Sequence, residues 1–423
     1  MTDALHPAPL VITLDEAIRR AQANEPNFAA ARAEAKATAL DRSISRAALL
    51  PDAVYHNQYL YTQGTGGGGT LLAGSTQTPA PIFIANNAVH EYTSQAAVTE
   101  TVGLKGVADV RLADATAART AAEYEVARRG LVATLVNLYY TLSANEHKVV
   151  VAQRAEDEAA SFTDLTGKRE AAREAARADV VKAQLLQQQR ERDLADARLA
   201  ADKARLELGV LLFPDPRTSY TTESAPLPAM PSRADVEARA AAHNPELKSA
   251  LAAVQMSDAE VLGARAAYLP DLALNFNYGI DAAQFATKGP NGVNNLGYSA
   301  SAMVDIPVWD WLATPHRVKQ TEIRRDAARV ALTATQRHLI AALDEAYAEA
   351  AEAQRQVASL QLSATTAAES LRLTNLRYTA GEATALEVVD AQTSLTAAEN
   401  AREESVVRYE TGLANLQVLT GTL

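Results

Sequence analysis

Few residues in this chain are spaced for covalent chemistry. The histidines His6, His56, His90, His147, His243, His316 and His338 show no metal-ligand spacing. Cysteine is absent, which excludes disulfides, thiolate metal sites and a thiol nucleophile. No H-E-x-x-H, G-x-S-x-G or phosphate-loop pattern occurs, and Gly66-Gly67-Gly68-Gly69 lacks the Lys-Ser/Thr that a phosphate cradle needs, so it reads as a loop. The chain is not read as an enzyme, and neither a cofactor nor a metal is expected. What stands out is a carboxylate pair. Glu387 and Asp390 are three residues apart near a helix start and share one face. One reading is favourable charge at a helix N-terminus, with Thr384 as N-cap and Glu387 as its capping-box partner. Asp179 stands 208 residues before Glu387, but Lys182 replaces the second acid there.

A turn precedes each of these acidic segments. Arg377, Tyr378 and Gly381 shape one, with Gly381 expected at positive φ just past a helix end. Gly167, Arg169 and Arg173 belong to the other, and Arg173 stands where Gly381 would be. Trp309 and Trp311 follow a strand-like segment, near Pro307, which suits a strand end. They fit either a membrane-interface anchor or packing at a strand-to-helix junction.

The elements that must position these residues follow from composition and pattern. The chain has 423 residues, 48% hydrophobic and 22% charged, as folded proteins do. Its net charge of −11 argues against a nucleic-acid partner, which calls for a basic patch. Abundant Ala, Glu, Gln, Arg and Leu favour long helices. The apolar stretch Leu131 to Leu142 is broken by Asn137 and is too short for a transmembrane helix, which takes roughly 18–20 residues. Met1 to Leu10 lacks the basic and apolar regions of a signal peptide, so an exported protein is expected here in mature or trimmed form.

The chain repeats itself. Arg46-Ala47-Ala48-Leu49-Leu50-Pro51-Asp52 recurs as Arg265-Ala266-Ala267-Tyr268-Leu269-Pro270-Asp271, and Asn24-Glu25-Pro26 as His243-Asn244-Pro245, both 219 residues on. Later segments match 208 residues on: Leu165-Thr166 with Leu373-Thr374, Arg169 with Arg377, and Val180-Val181 with Val388-Val389. Two gapless registers imply a tandem duplication with an 11-residue insertion in the first copy. The expected repeats are 1–213 and 232–423, joined by a Pro-rich linker over 214–231. Each runs helix, helix, strand, strand, very long helix, break, and a last helix of about 35 residues. Thr13 and Glu16 are expected to form a capping box for the first helix. Strands are expected at about 50–62, 92–102, 271–281 and 296–308. In the third, Leu272, Leu274, Phe276, Tyr278 and Ile280 alternate with polar or small residues, the pattern of a membrane β-barrel strand. The long helices, about Asp109 to Asp164 and Pro315 to Leu376, should each reach about 80–90 Å at 1.5 Å per residue. Ala-rich helices of that length pack as coiled coils, and their polar faces suit the wall of a wet tube.

This order of elements, together with the run Leu373-Thr374-Asn375-Leu376-Arg377-Tyr378-Thr379-Ala380-Gly381-Glu382 and the Leu-Pro-Asp before each first strand, resembles the TolC-like outer-membrane efflux proteins. The resemblance covers Thr13 to Gly421. It implies a mainly α fold with a small β part, in which a homotrimer closes a twelve-stranded barrel and an α-helical periplasmic tunnel. It implies a passive exit duct in the outer membrane of a Gram-negative-type bacterium, in contact with its lipid and reaching into the periplasm. Such a duct serves tripartite efflux or type I secretion with a periplasmic adaptor and an inner-membrane transporter. Glu387, Asp390 and Asp179 would then line the pore constriction, and Arg377, Tyr378, Gly381, Gly167, Arg169 and Arg173 would face the adaptor. Some relatives hold the mouth closed with an Arg two residues after the turn glycine; this chain has Ala383 there, so a different contact is expected. The competing reading is a periplasmic coiled-coil scaffold or adaptor-like protein without a channel.

Overall fold

The computed structural model describes residues 10–61, 90–223, 227–289 and 292–421. The expected loop at Gly66 to Gly69 lies outside them. Helix lengths repeat residue for residue. Helices α1 (Leu14–Asn24) and α5 (Arg233–His243) have 11 residues, and α2 (Pro26–Ala47) and α6 (Pro245–Ala266) have 22. Helices α3 (Leu104–Ala171) and α7 (Ala313–Ala380) have 68, and α4 (Arg177–Leu212) and α8 (Ala385–Thr420) have 36. Pro26 and Pro245 open their helices at the one position where a missing N–H costs nothing. The expected capping box of α1 forms only by half. Thr13 Oγ1 accepts the Glu16 amide at 3.2 Å, but the Glu16 carboxylate turns to Arg19 and Arg20, at 2.5 and 2.8 Å.

Strands β2 (Asp52–Tyr61), β3 (His90–Val102), β5 (Asp271–Ala282) and β6 (Leu296–Asp305) form one antiparallel sheet in the order β2-β3-β5-β6. The last strand stops at Asp305, short of the expected 308, because Pro307 has no N–H for a ladder. The two halves of the chain meet at β3 and β5, where Val98 opposes Phe276. Two short strands were not visible in the sequence: β1 (Leu10–Ile12) and β4 (Tyr220–Thr222), which pair in parallel. The second lies inside the Pro-rich linker. Tyr139 ties this pair down, its hydroxyl bonding the carbonyls of Ile12 at 2.9 Å and Glu223 at 2.7 Å.

The chain divides into two compact units, and each draws on both halves of the sequence. One, comprising the chain up to Lys36, Ala118–Ala252 and the chain from Val330, is helical apart from the β1–β4 pair. Its largest cluster gathers Val132, Leu135, Tyr139, Leu142, Leu208 and Leu212, and a second joins Ala350, Ala353, Tyr409, Leu413 and Leu416. Small residues let the helices close up. A Cβ on Gly412 would lie 3.2 Å from the Ala350 backbone, tighter than ordinary contact. The other unit, Ala37–Ala117 and Ala253–Arg329, carries the four-stranded sheet. No described helix is long and apolar enough to cross a membrane.

Candidate functional site: hairpin turns and a two-faced sheet

The turns after α3 and α7 share one hydrogen-bond pattern. Gly381 N–H donates to Tyr378 O at 3.0 Å and Glu382 N–H to Arg377 O at 2.8 Å. Arg173 N–H donates to Glu170 O at 2.8 Å and Glu174 N–H to Arg169 O at 2.7 Å. Both are the paired bonds that end a helix on a left-handed residue, here Gly381 at φ 82° and Arg173 at φ 65°. Gly167 is not in the turn, because α3 stays helical through Ala171.

The following helices start differently. At α8, Thr384 and Glu387 form the full capping box, with Thr384 Oγ1 accepting the Glu387 amide at 3.3 Å and Glu387 Oε1 accepting the Thr384 amide at 3.1 Å. Arg377 adds an ion pair to Glu387 at 3.2 Å. The Thr384 amide and hydroxyl, aided by Arg377, hold the Glu387 carboxyl below the usual carboxylate range. Asp390 is exposed and has no ion pair among the described residues. At α4 the N-cap is Ala176, which offers no side-chain bond. Asp179 is half-buried in the first turn there and Lys182 is exposed.

The structure brings two of the sequence candidates, Arg169 and Tyr378, into direct contact across the turns. Arg169 donates to the carbonyl of Tyr378, and its guanidinium lies 5.0 Å from the centroid of that ring. Tyr378 is buried, with Phe162 at 5.2 Å between centroids and its hydroxyl 3.3 Å from that of Thr166. Ala183, Ala385 and Val388 complete the cluster, and Ala383 packs against it. The Tyr378 ring is therefore a packing element inside the tip, whereas Arg173, Arg377 and Gly381 are exposed. Phe162 and Thr166 were missed in the sequence. The repeat Leu165-Thr166 marked their place but carried no chemistry.

The sheet has two chemically distinct faces, set by its register. On one, β2 to β6 in turn present Tyr55, Tyr59 and Tyr61; Tyr92, Ala96, Val98 and Val102; Leu272, Leu274, Phe276 and Tyr278; then Tyr298, Ala300, Ala302 and Val304. Most of the large side chains among them are exposed. Its polar groups largely satisfy one another, as where Ser94 Oγ lies 2.9 Å from the Tyr55 hydroxyl and donates to Asn57 at 2.7 Å. The other face carries Asp52, Thr99, Asn275, Asn277, Ser299 and Ser301. Beyond β6, Trp309 and Trp311 are 67% and 84% exposed, edge to face with centroids 5.8 Å apart, so they are not packed into the junction. Asp310 fixes their loop by accepting the Thr314 amide at 2.6 Å, and the Thr314 hydroxyl together with that amide holds its carboxyl below the usual range. No group of acids and histidines able to hold a metal occurs among the described residues.

The fold built from this sheet and these helical hairpins is shared with solved outer-membrane channels. Residues 237–422 match the family described as outer membrane efflux protein. Three solved structures of similar fold are the CmeC outer membrane channel of Campylobacter jejuni, the outer membrane protein VceC of Vibrio cholerae and the open-state MtrE outer membrane channel of Neisseria gonorrhoeae. Identity to them is 16%, 18% and 19%, with TM-scores of 0.77, 0.79 and 0.75. The alignments cover 97%, 96% and 96% of this chain and 85%, 96% and 88% of theirs. No curated protein matches the sequence.

Proposed function

We propose that this chain is the outer-membrane exit duct of an efflux or secretion system, working as a homotrimer with a periplasmic adaptor and an inner-membrane transporter. The observation that carries the reading is the sheet. It presents an exposed apolar face, a polar face and two edge strands, β2 and β6, that have no further strand partner among the described residues. Unpaired backbone is untenable in lipid, so four strands of this kind call for closure by further copies. A periplasmic scaffold or adaptor-like protein has no use for such a face, which disfavours that alternative. The apolar face then meets lipid, the polar face lines water, and Trp309 and Trp311 sit at the membrane boundary.

At the hairpin ends, Asp390, Glu387 and Asp179 are the proposed constriction. Arg377 already offsets part of the charge of Glu387, so Asp390 carries most of the free negative potential. Arg173, Arg377 and Gly381 form the proposed adaptor-facing surface, with Arg169 and Tyr378 shaping it from within. The test is planar-bilayer conductance of detergent-purified protein beside a Glu387→Ala/Asp390→Ala variant. Discrete cation-preferring steps that lose their preference in the variant are expected. Protein that stays soluble without detergent and conducts nothing would return the reading to a scaffold.

A further inference from the structure

One residue contradicts the apolar face. Glu100, two positions before the end of β3, lies on it between Val98 and Val102 and opposite Leu274. It is the one carboxylate on that face of the described strands. Its Oε2 is buried and has no hydrogen-bond partner among the described residues. The nearest cation along the chain, Lys105, is taken by Asp109 at 3.1 Å. An acid left unpaired against apolar surface is costly unless a counter-charge arrives.

Glu100 also lines a trough of about 520 Å³ with Pro51, Val98, Leu274, Phe276, Ala300 and Ala302. The trough exists because Ala300 and Ala302 are small where their cross-strand partners, Phe276 and Leu274, are large. Depth fits a headgroup. Eight residues separate Glu100 from Tyr92, at the aromatic end where Tyr59 lies 4.9 Å from Tyr92 between centroids. At about 3.4 Å per residue and a strand tilt of about 40°, that span is roughly 20 Å across the membrane. Glu100 thus sits near one boundary of the apolar band, and the tyrosines mark the other.

We propose that Glu100 and this trough bind a phospholipid whose headgroup ends in a primary ammonium, such as ethanolamine, with an acyl chain lying over Ala300 and Ala302. An ammonium brings three N–H donors to the unpartnered carboxylate. A choline headgroup brings charge without donors, and a glycerol headgroup leaves the lipid anionic and repelled. This inference rests on the outer-membrane reading above.

The test is native mass spectrometry of the detergent-purified full chain. Ethanolamine, choline and glycerol phospholipids with identical acyl chains are added in turn to wild type, Glu100→Gln and Ala302→Phe. Wild type is expected to retain the ethanolamine lipid at least roughly tenfold more tightly than the glycerol lipid, the scale of a charge-assisted hydrogen bond. Glu100→Gln keeps lipid but loses the headgroup preference, and Ala302→Phe loses retention of all three. Equal retention of the three headgroups by wild type overturns the proposal, as does a preference that survives Glu100→Gln or a trough covered by a second copy that no lipid displaces. Failure of the outer-membrane reading looks different, because the protein would then need no detergent and bind no lipid of any kind.

Discussion

Arg173 and Gly381 occupy the same backbone position in the two hairpin turns, 208 residues apart, both left-handed, at φ 65° and 82°. The shared hydrogen bonds force the conformation; the residue types do not. An L-residue there is strained, because its Cβ crowds the next carbonyl, whereas glycine is not. Arg173→Gly is therefore expected to stabilise the protein by about 0.5–1 kcal/mol, after the extra chain entropy of glycine is offset. Gly381→Ala should cost a similar amount. Denaturant melts of detergent-purified protein measure both, and a loss of stability in Arg173→Gly would mean that the arginine side chain contributes more than its backbone strain costs.

A second asymmetry lies three residues on. Thr384 caps α8 through a complete capping box, while Ala176 leaves the first amides of α4 without a side-chain acceptor. Ala176→Ser should supply that acceptor and add about 1 kcal/mol. Thr384→Ala should lose a comparable amount and also free Glu387. Amide hydrogen exchange at the first turns of α4 and α8 reads each effect locally. Unchanged protection at α4 in Ala176→Ser would show that those amides already have another partner.

The duplication, the long helices and the two-faced strands were legible because they rest on periodicity, which needs no partner to be seen. The Thr384 capping box and positive φ at Gly381 were legible because both are local. Contacts between distant segments were not. Nothing near Arg169 in sequence points to Tyr378, and the strand pair of β1 with β4 is too short to show any pattern. Glu16 shows the limit even of local rules, since two arginines on its own helix outcompete the cap.

Glu410 gives a pH prediction. It is 4% exposed on α8, its carboxyl bonds the Tyr140 hydroxyl on α3, and its Oε1 has no partner among the described residues. Burial pushes its pKa up from 4.5 to about 7. The folded chain thus holds the proton more tightly than the unfolded one. The associated stability is fully present below about pH 4.5 and is lost as pH rises towards 7, a change on the order of 3 kcal/mol. His147, raised by its bond to Glu403, works in the same direction and is common to wild type and variant. Thermal melts between pH 5 and 8 should therefore fall more steeply in wild type than in Glu410→Gln. Parallel profiles would show that the carboxyl is solvated or paired in solution.

Within the proposed constriction, the acids should not contribute equally. Glu387 shares its charge with Arg377 and a helix start, while Asp390 is exposed and has no ion pair among the described residues. Asp390→Asn should reduce cation preference in single-channel reversal potentials more than Glu387→Gln does. Arg377→Ala should increase that preference by releasing Glu387. The opposite order for the two acids would place Glu387, despite its cap, nearer the permeation path.

Arg169 and Tyr378 join the two hairpin turns of the tip. Their contact has two parts, a charged donor on the Tyr378 carbonyl and a guanidinium over the ring. That carbonyl also accepts the Gly381 amide, so Arg169 braces the very turn that ends α7. A charge-assisted bond and a partly buried cation–π contact together amount to about 2–3 kcal/mol. Arg169→Ala should lose most of this, and Arg169→Lys should recover little, because an ammonium lacks the planar fork that can bond and stack at once. Tyr378→Phe keeps the carbonyl and the ring and loses only the contact with the Thr166 hydroxyl, so it should cost less than about 1 kcal/mol. Tryptic cleavage at Lys168 and Arg377 reports the tip directly. It should accelerate in Arg169→Ala and stay near wild type in Tyr378→Phe. Faster cleavage in Tyr378→Phe than in Arg169→Ala would move the brace from the guanidinium to the hydroxyl pair.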